Sequence, residues 1–289
     1  MFELSPPATP GASWTETTLY TLDPVSSPSG LIFDGHGNLY GMTENGGKYE
    51  MGQVYELSPP AQPGGSWTET DLYDFTGGHD GGEPDAGLVF DGGENLYGTA
   101  SEGGIIKACN DMDQYIGCGV VFELSPSSSG GWSEAVLYAF RGKTDSFAPD
   151  SSLVFDNAGA LYGTALLMVF RLAPPAKQGD PWSETTIHSF PNGAGGSNPV
   201  GNLVFDASWN LYGATYQYGA SGYASIYDLS PPTQQGGAWT LTTLYQKSDN
   251  PSPLFNGSLS FGKWGALYGS VQSVGGEPAN YGSVFGIAP

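Results

Sequence analysis

Basic side chains are scarce: the chain has 8 Lys and Arg against 29 Asp and Glu, a formal net charge of −21. A polyphosphate is repelled by such a chain, and no basic stripe offsets the repulsion, which excludes nucleic acid as a partner. Long apolar runs are also lacking. None approaches the roughly 18 residues that a membrane helix requires, so helical membrane insertion is excluded. The opening residues, MFELSPPATPG, have neither the charged start nor the apolar stretch of a signal peptide. Because residue 2 already lies inside a repeat unit, an export signal is expected to belong to a longer precursor. Cysteine is nearly absent. Cys109 and Cys118 fall in one irregular insertion, while His36, His79 and His188 are scattered, so no zinc-type spacing exists. The two cysteines are expected to form an intramolecular disulfide closing a short loop, worth about 2–3 kcal/mol. Charged residues of both signs make up only 13% of the chain, about half the usual share. The surface must be finished with Ser, Thr, Asn, Gly and Tyr, a composition common outside the cell.

What the chain has in abundance is turn formers and aromatics: 45 Gly, 22 Pro and 13% Phe, Trp and Tyr. Three phrases recur in fixed order. One begins at Trp14, Trp67, Trp132, Trp182 and Trp239, as in WTETDLYDF. The next is an apolar strand, a tight turn and a second strand, as in LVFDGGENLYG, with Tyr40, Tyr97, Tyr162, Tyr212 and Tyr268. The last is VYELSPP or a close variant. Trp-to-Trp spacings of 53, 65, 50 and 57 are tracked by Tyr-to-Tyr spacings of 57, 65, 50 and 56. No segment keeps a 3.6-residue period over a helix length, and each phrase alternates or is a short apolar run bounded by Gly, Pro, Asn or Asp. Repeats of this length, rich in short strands, predict an all-β propeller or solenoid.

One blade reads as LxFD innermost, then NLYG, then VFELS, with the Trp strand outermost. Proline ends the third strand because it cannot donate to a ladder. A single domain spans 1–289: a five-bladed β-propeller of four-stranded antiparallel blades starting near 31, 88, 153, 203 and 259. The Trp14 strand is expected to join the C-terminal blade, residues 1–22 completing it, so that the ring closes without a free sheet edge. Phe2–Leu4 and Val284–Ile287 compete for one place in that blade, and the C-terminal copy is expected to take it. An open solenoid is the alternative.

With its GNLYG hairpins, VFELSP strands and WTETxLYxF strands, the sequence resembles the bacterial GloVer-type tandem-repeat proteins over nearly its whole length. The resemblance implies an exported, secreted or surface-anchored, repeat protein and brings no established catalytic residues with it. The FDxxGNLY hairpin is also similar to the inner hairpin of NHL-type propellers, an analogy of fold alone.

Most repeated residues read as scaffold. The five tryptophans share one register, which suits packing between blades. Asp34, Asp91, Asp156 and Asp206 open hairpin turns, where a carboxylate accepts backbone N–H bonds. Gly262 stands in the fifth unit, which rules out a five-fold ring of ligands. Function is expected where the repeat is broken. Trp209 and Trp264 replace small turn residues at two hairpin tips, and exposed indoles suit stacking on a sugar face. On the opposite face GGHDGGEPDAG supplies His79, Asp80, Glu83 and Asp85, and DSFAPDSS supplies Asp145 and Asp150. Asp85 and Asp150 each follow a proline just before an innermost strand, so both are expected at the mouth of the central channel. Paired carboxylates there could hold a cation such as Ca²⁺ or serve as acid and base on a glycosidic bond. Tyr49, Tyr216, Tyr218, Tyr223 and Tyr281 are expected around the same mouth, overhung by the Cys insertion with Asp111, Asp113 and Tyr115.

The strand entrances Ser29, Ala86, Ser152, Asn202 and Ser258 provide no acid, and no phosphate loop, nucleophile elbow, zinc motif or EF-hand loop is present. These observations predict an extracellular, monomeric, non-catalytic binding module for a glycan or surface partner, with no cofactor. A glycan-active hydrolase or lyase using Asp85 and Asp150 is the alternative, and a structural surface-repeat protein a third.

Overall fold

The computed structural model describes the chain except residues 25, 63, 108, 110–115, 129, 143–144, 191–197, 217–223, 235, 248–257, 272–282 and 289. Among the described residues every regular element is a strand. A hairpin of β1 (Phe2–Ser5) and β2 (Thr15–Thr18) comes first. The first blade contains β3 (Ile32–Phe33), β4 (Leu39–Thr43), β5 (Gln53–Ser58) and β6 (Thr68–Asp74). The second contains β7 (Val89–Phe90), β8 (Leu96–Ala100), β9 (Val120–Pro126) and β10 (Trp132–Ala139). The third has β11 (Val154–Phe155), β12 (Leu161–Ala165), β13 (Met168–Ala173) and β14 (Ser183–Ser189). The fourth has β15 (Pro199–Phe205), β16 (Leu211–Thr215), β17 (Ala224–Ser230) and β18 (Thr240–Lys247). The fifth holds β19 (Ser260–Phe261), β20 (Leu267–Val271) and β21 (Ser283–Ile287). In each blade the strands pair antiparallel in chain order, from inner to outer. The protein is a five-bladed β-propeller.

The LYG phrase has a steric cause. Gly41, Gly98, Gly163, Gly213 and Gly269 lie directly opposite Tyr55, Phe122, Phe170, Tyr227 and Phe285 on the neighbouring strand. A Cβ on any of these glycines would come within 2.7 Å of the facing ring. Each ring therefore lies across its glycine, and only glycine leaves the space.

Blades adhere through the repeated aromatics. The second-strand tyrosine of one blade meets the first-strand phenylalanine of the next edge-on: Tyr40–Phe90, Tyr97–Phe155, Tyr162–Phe205 and Tyr212–Phe261 all have centroids 5.1 Å apart. Tryptophans lean on the same tyrosines, Trp132 on Tyr40 at 6.3 Å and Trp239 on Tyr162 at 6.0 Å, and Trp182 packs into the cluster that contains Tyr97. Phe75–Phe122, Phe140–Phe170 and Phe190–Tyr227 stack deeper in the junctions. Such edge-on pairs each contribute about 0.5–1.5 kcal/mol beyond area burial.

The hairpin aspartates behave as the turn chemistry predicts. One Asp91 oxygen accepts the N–H groups of Gly93 and Asn95 at 2.7 and 3.0 Å, and the other accepts the Asn95 amide at 2.8 Å and the Tyr97 hydroxyl at 3.2 Å. Asp34 and Asp206 repeat the set. In the third blade Ala160 replaces the asparagine, and Arg171 takes over. Its Nε donates to the Tyr162 hydroxyl at 2.9 Å, and its guanidinium lies 3.6 Å from Asp156.

Ring closure departs from expectation. β2 pairs with β1, through Leu4↔Glu16 and Ser5↔Thr15, and β21 pairs with β20 alone among the described residues. The C-terminal copy of the third strand takes its place beside β20 as expected, whereas the Trp14 strand lies against the N-terminal copy, and among the described residues no pairing joins residues 1–22 to the last blade. The local pairing has a low entropic cost: β1 reaches β2 across one short connection, whereas β21 lies at the other end of the chain. Leu19, Tyr20 and Leu22 seat the hairpin on Leu39, Tyr55 and Leu57 of the first blade. The tyrosine-on-phenylalanine contact is not made between the fifth and first blades, where Tyr268 is 44% and Phe33 67% exposed.

Candidate functional site

All five blades contribute to a central cavity of about 540 Å³. Its wall includes Gly30, Gly87, Ser152, Asn202 and Ser258 from the starts of the five innermost strands, with Asp85 and Asp150 above them. The polar entrance residues fasten blade to blade. Ser152 Oγ accepts the Gly87 N–H at 2.8 Å, while the Asn202 amide takes the Leu259 N–H at 2.7 Å and donates to the Leu259 carbonyl at 3.2 Å. Ser29 turns to the Met42 backbone. The two aspartates are left as the charged groups of the cavity.

Their positions follow from the prolines before them. Pro84 fits against Gly52 of the preceding blade and Pro149 against Gly119, each so closely that a Cβ on the glycine would lie 2.5 or 2.4 Å from the proline ring. The Glu83 N–H donates to the Met51 carbonyl at 2.9 Å, and the Glu83 carbonyl accepts from the Ser101 hydroxyl at 3.0 Å. Asp85 and Asp150 thus sit at fixed points of neighbouring blades.

Electrostatics couples the pair. Desolvation, then the neighbouring Asp85 carboxylate, pushes Asp150 up to about 7, although Thr164 Oγ1 donates to it at 3.4 Å. Asp85 is raised by desolvation, with Glu44 and Glu83 adding repulsion. Protein surrounds Asp85 on most sides, yet its side chain stays open to water in the channel, so the larger burial effect belongs to Asp150. Glu83 is raised by desolvation and by Glu44, and Glu102 by desolvation and by Glu83, which extends the acidic field across the first and second blades.

The other expected site residues are distributed differently. His79 Nδ1 lies 2.9 Å from the Gly104 carbonyl and fastens its loop to the Cys insertion. Asp80 is held by the Tyr73 hydroxyl at 3.0 Å and by Thr76, and Asp145 by Tyr138 and the Arg141 N–H. Both close the ends of outer strands and are absent from the cavity wall. Tyr216 is half-buried, its N–H donating to the Asn198 carbonyl at 2.8 Å, next to β15 residues that line the cavity. Tyr49 is exposed, with the Lys48 ammonium 5.0 Å from its ring. Tyr218, Tyr223, Tyr281, Asp111, Asp113 and Tyr115 lie outside the described residues. Cys109 and Cys118 form the expected disulfide, buried in the core.

At the hairpin tips, Trp209 has φ of 66° and rests on Phe205 at 5.2 Å, so it is partly packed. Trp264 is 83% exposed, with Lys263 Nζ 5.5 Å from its ring. A second cavity, of about 580 Å³, lies between the fourth and fifth blades, with Tyr212, Phe261 and Ile287 in its wall. Sequence reasoning missed it, because it depends on which strand completes the last blade. Among the described residues no group of three or more His, Cys, Asp or Glu could hold a metal ion.

A family model, the Gloeobacter/Verrucomicrobia repeat, matches residues 1–167. The chain belongs to this family. Membership of the Gloeobacter/Verrucomicrobia repeat family accounts for the recurrent phrases. No protein with a curated description matches the sequence. Among solved structures, a protein of unknown function from Dyadobacter fermentans aligns with a TM-score of 0.53 at 10% identity, over 86% of this chain and 75% of that one. A protein provisionally assigned as a gluconolactonase aligns with a TM-score of 0.51 at 15% identity, over 89% and 74%. A GH43 endo-arabinanase from Bacillus licheniformis aligns with a TM-score of 0.47 at 16% identity, over 90% and 92%. At these identities the likeness concerns the fold.

Proposed function

We propose that this repeat protein is an extracellular, non-catalytic glycan-binding module whose ligand enters the channel at Asp85 and Asp150. The observation that carries the reading is the central cavity, where two carboxylates remain after Ser152 and Asn202 are spent on joining blades. Its volume falls within the usual range for small-ligand sites. Carboxyl groups accept hydrogen bonds from sugar hydroxyls, and the net charge of −21 disfavours anionic ligands. The exposed Trp264 indole offers a second, stacking contact at the hairpin face. A disulfide suits an oxidising compartment. The reading requires no cofactor.

A glycan array on the purified protein tests it. Saturable retention is expected, weakened at least tenfold by Asp85→Asn with Asp150→Asn; Tyr216→Ala and Trp264→Ala report the flanking contacts. Absence of retention across plant, fungal and bacterial polysaccharides would remove the proposal.

One feature favours a second reading, a glycan-active hydrolase or lyase: desolvation and the neighbouring Asp85 push the Asp150 carboxyl up to about 7, the range in which a carboxyl serves as general acid. Under this reading the Asp85→Asn/Asp150→Asn variant loses turnover of any substrate found. Full retained turnover rules it out.

A further inference from the structure

Opposite the tyrosine of each LYG phrase, on the third strand, three blades carry an acid: Glu56 faces Tyr40, Glu123 faces Tyr97 and Asp228 faces Tyr212. Gly286 faces Tyr268 in the fifth blade. The third blade reverses the charge, because Arg171 faces Tyr162. Arg171 lies in the wall of a cavity of about 490 Å³ between the third and fourth blades, together with Tyr162, Thr185, Thr186, Pro232 and Trp239. Among the described residues it is the one charged group in that wall.

Standing in for the missing asparagine occupies only part of the guanidinium. Nε donates to the Tyr162 hydroxyl, and Nη2 lies 3.6 Å from Asp156, an ion pair too long for a hydrogen bond. Among the described residues the two terminal nitrogens donate no hydrogen bond, and the side chain is 31% exposed. A planar fork with both tips unspent is the group that grips a carboxylate through two parallel bonds. Tyr162 and Trp239, with centroids 6.0 Å apart, add aromatic surface to the wall, and Thr185 and Thr186 add hydroxyls. Aromatic surface beside hydroxyl partners suits a sugar ring. The net charge of −21 repels a polyanion, but a lone carboxylate on a neutral sugar meets the local cation, and repulsion from beyond roughly 8 Å is screened at physiological ionic strength.

We propose that the cleft between the third and fourth blades binds a uronate residue of a glycan, its carboxylate held by the Arg171 guanidinium and its ring laid against Tyr162 and Trp239. The equivalent positions of the first two junctions have the same aromatic pair, Tyr40 with Trp132 and Tyr97 with Trp182, but Glu56 and Glu123 there repel a carboxylate. One junction of the ring is thereby made selective for an acidic sugar. The cleft shares no wall residue with the central channel, so it stands whether or not a ligand enters at Asp85 and Asp150.

The test is a ligand-observed NMR titration of the full chain with methyl β-glucuronide and methyl β-glucoside, which differ only in a carboxylate against a hydroxymethyl group. Saturable binding of the glucuronide is expected, at least about tenfold tighter than that of the glucoside and weakening as salt is raised. Because this arm uses the unaltered chain, it does not depend on any variant folding. Ala160→Asn/Arg171→Glu gives the third blade the asparagine and glutamate that the first two carry, Asn38 with Glu56 and Asn95 with Glu123. It should keep the unfolding midpoint while glucuronide binding falls at least about tenfold. Asp85→Asn/Asp150→Asn should leave glucuronide binding unchanged, which separates this site from the channel. Equal affinity for the two sugars, no binding of the glucuronide, or undiminished binding in Ala160→Asn/Arg171→Glu overturns the proposal. So does acetate binding as tightly as the glucuronide, since the cleft would then read a bare anion and not a sugar.

Discussion

Single side chains show where the repeat is optimised and where it is not. Tyr227 occupies the ring position that Phe122 and Phe170 fill in other blades, across from Gly213, and its hydroxyl is buried with no partner among the described residues. A buried hydroxyl without a hydrogen bond costs about 1–3 kcal/mol. Tyr227→Phe should therefore raise stability by about 1 kcal/mol in urea unfolding, and a loss of stability would mean that the hydroxyl is satisfied. Asp91 is the opposite case. Burial alone would raise its pKa, but the Asn95 side chain and the N–H groups of Gly93 and Asn95 outweigh this and hold it below the usual carboxylate range. Asp91→Ala releases all these donors at once and should cost about 2 kcal/mol by the same measurement.

At the level of the blade edge, residues on neighbouring outer strands change together. Tyr73 with Asp80 faces Glu134 of the next blade, and Tyr138 with Asp145 faces Glu184. At the following junction the tyrosine's place is taken by His188 and the glutamate's by Leu241. His188 stacks on Phe190 at 4.6 Å, and burial lowers its pKa, so a neutral ring meets an apolar neighbour. Glu134 is the strained member of this set. One of its oxygens is buried without a hydrogen-bond partner among the described residues, and desolvation followed by Asp80 pushes it up to about 7. A carboxyl whose folded pKa is raised contributes stability at low pH that is lost as pH rises through the folded value. Glu134→Gln should therefore stabilise the protein by roughly 1–2 kcal/mol at pH 8 and change little at pH 5, which unfolding curves at the two pH values will show.

For the molecule as a whole, two sets of carboxylates pull the pH profile in opposite directions. Asp34, Asp91 and Asp206 have lowered values, so their contribution is present above the unfolded pKa and lost on strong acidification. Asp150, Asp85 and Glu134 have raised values, and their contribution fades as pH climbs toward 7. Self-repulsion at a net charge of −21 adds to the alkaline loss. Maximum stability is expected near pH 4–5, with a decline of a few kcal/mol by pH 8. Asp150→Asn should flatten that decline, the midpoint of thermal unfolding at each pH being the readout. A profile that peaks above pH 7 would contradict the protonated state assigned to the channel.

Much of this was legible in the residues alone. Strand alternation, turn chemistry and the LYG, FD and Trp phrases are local properties of a chain, so they determined the blade, its strand order and the number of blades. The disulfide followed from the short spacing of two cysteines in one insertion, and the placement of Asp85 and Asp150 at the channel from their position just before an innermost strand. Tertiary structure decided what depends on competition and on neighbours from other blades. Which third strand holds β2 rests on the lower loop-closure cost of the neighbouring copy. That Ser152 and Asn202 join blades while Asp85 and Asp150 line one cavity depends on atoms brought together from distant repeats, a proximity that no spacing along the chain encodes.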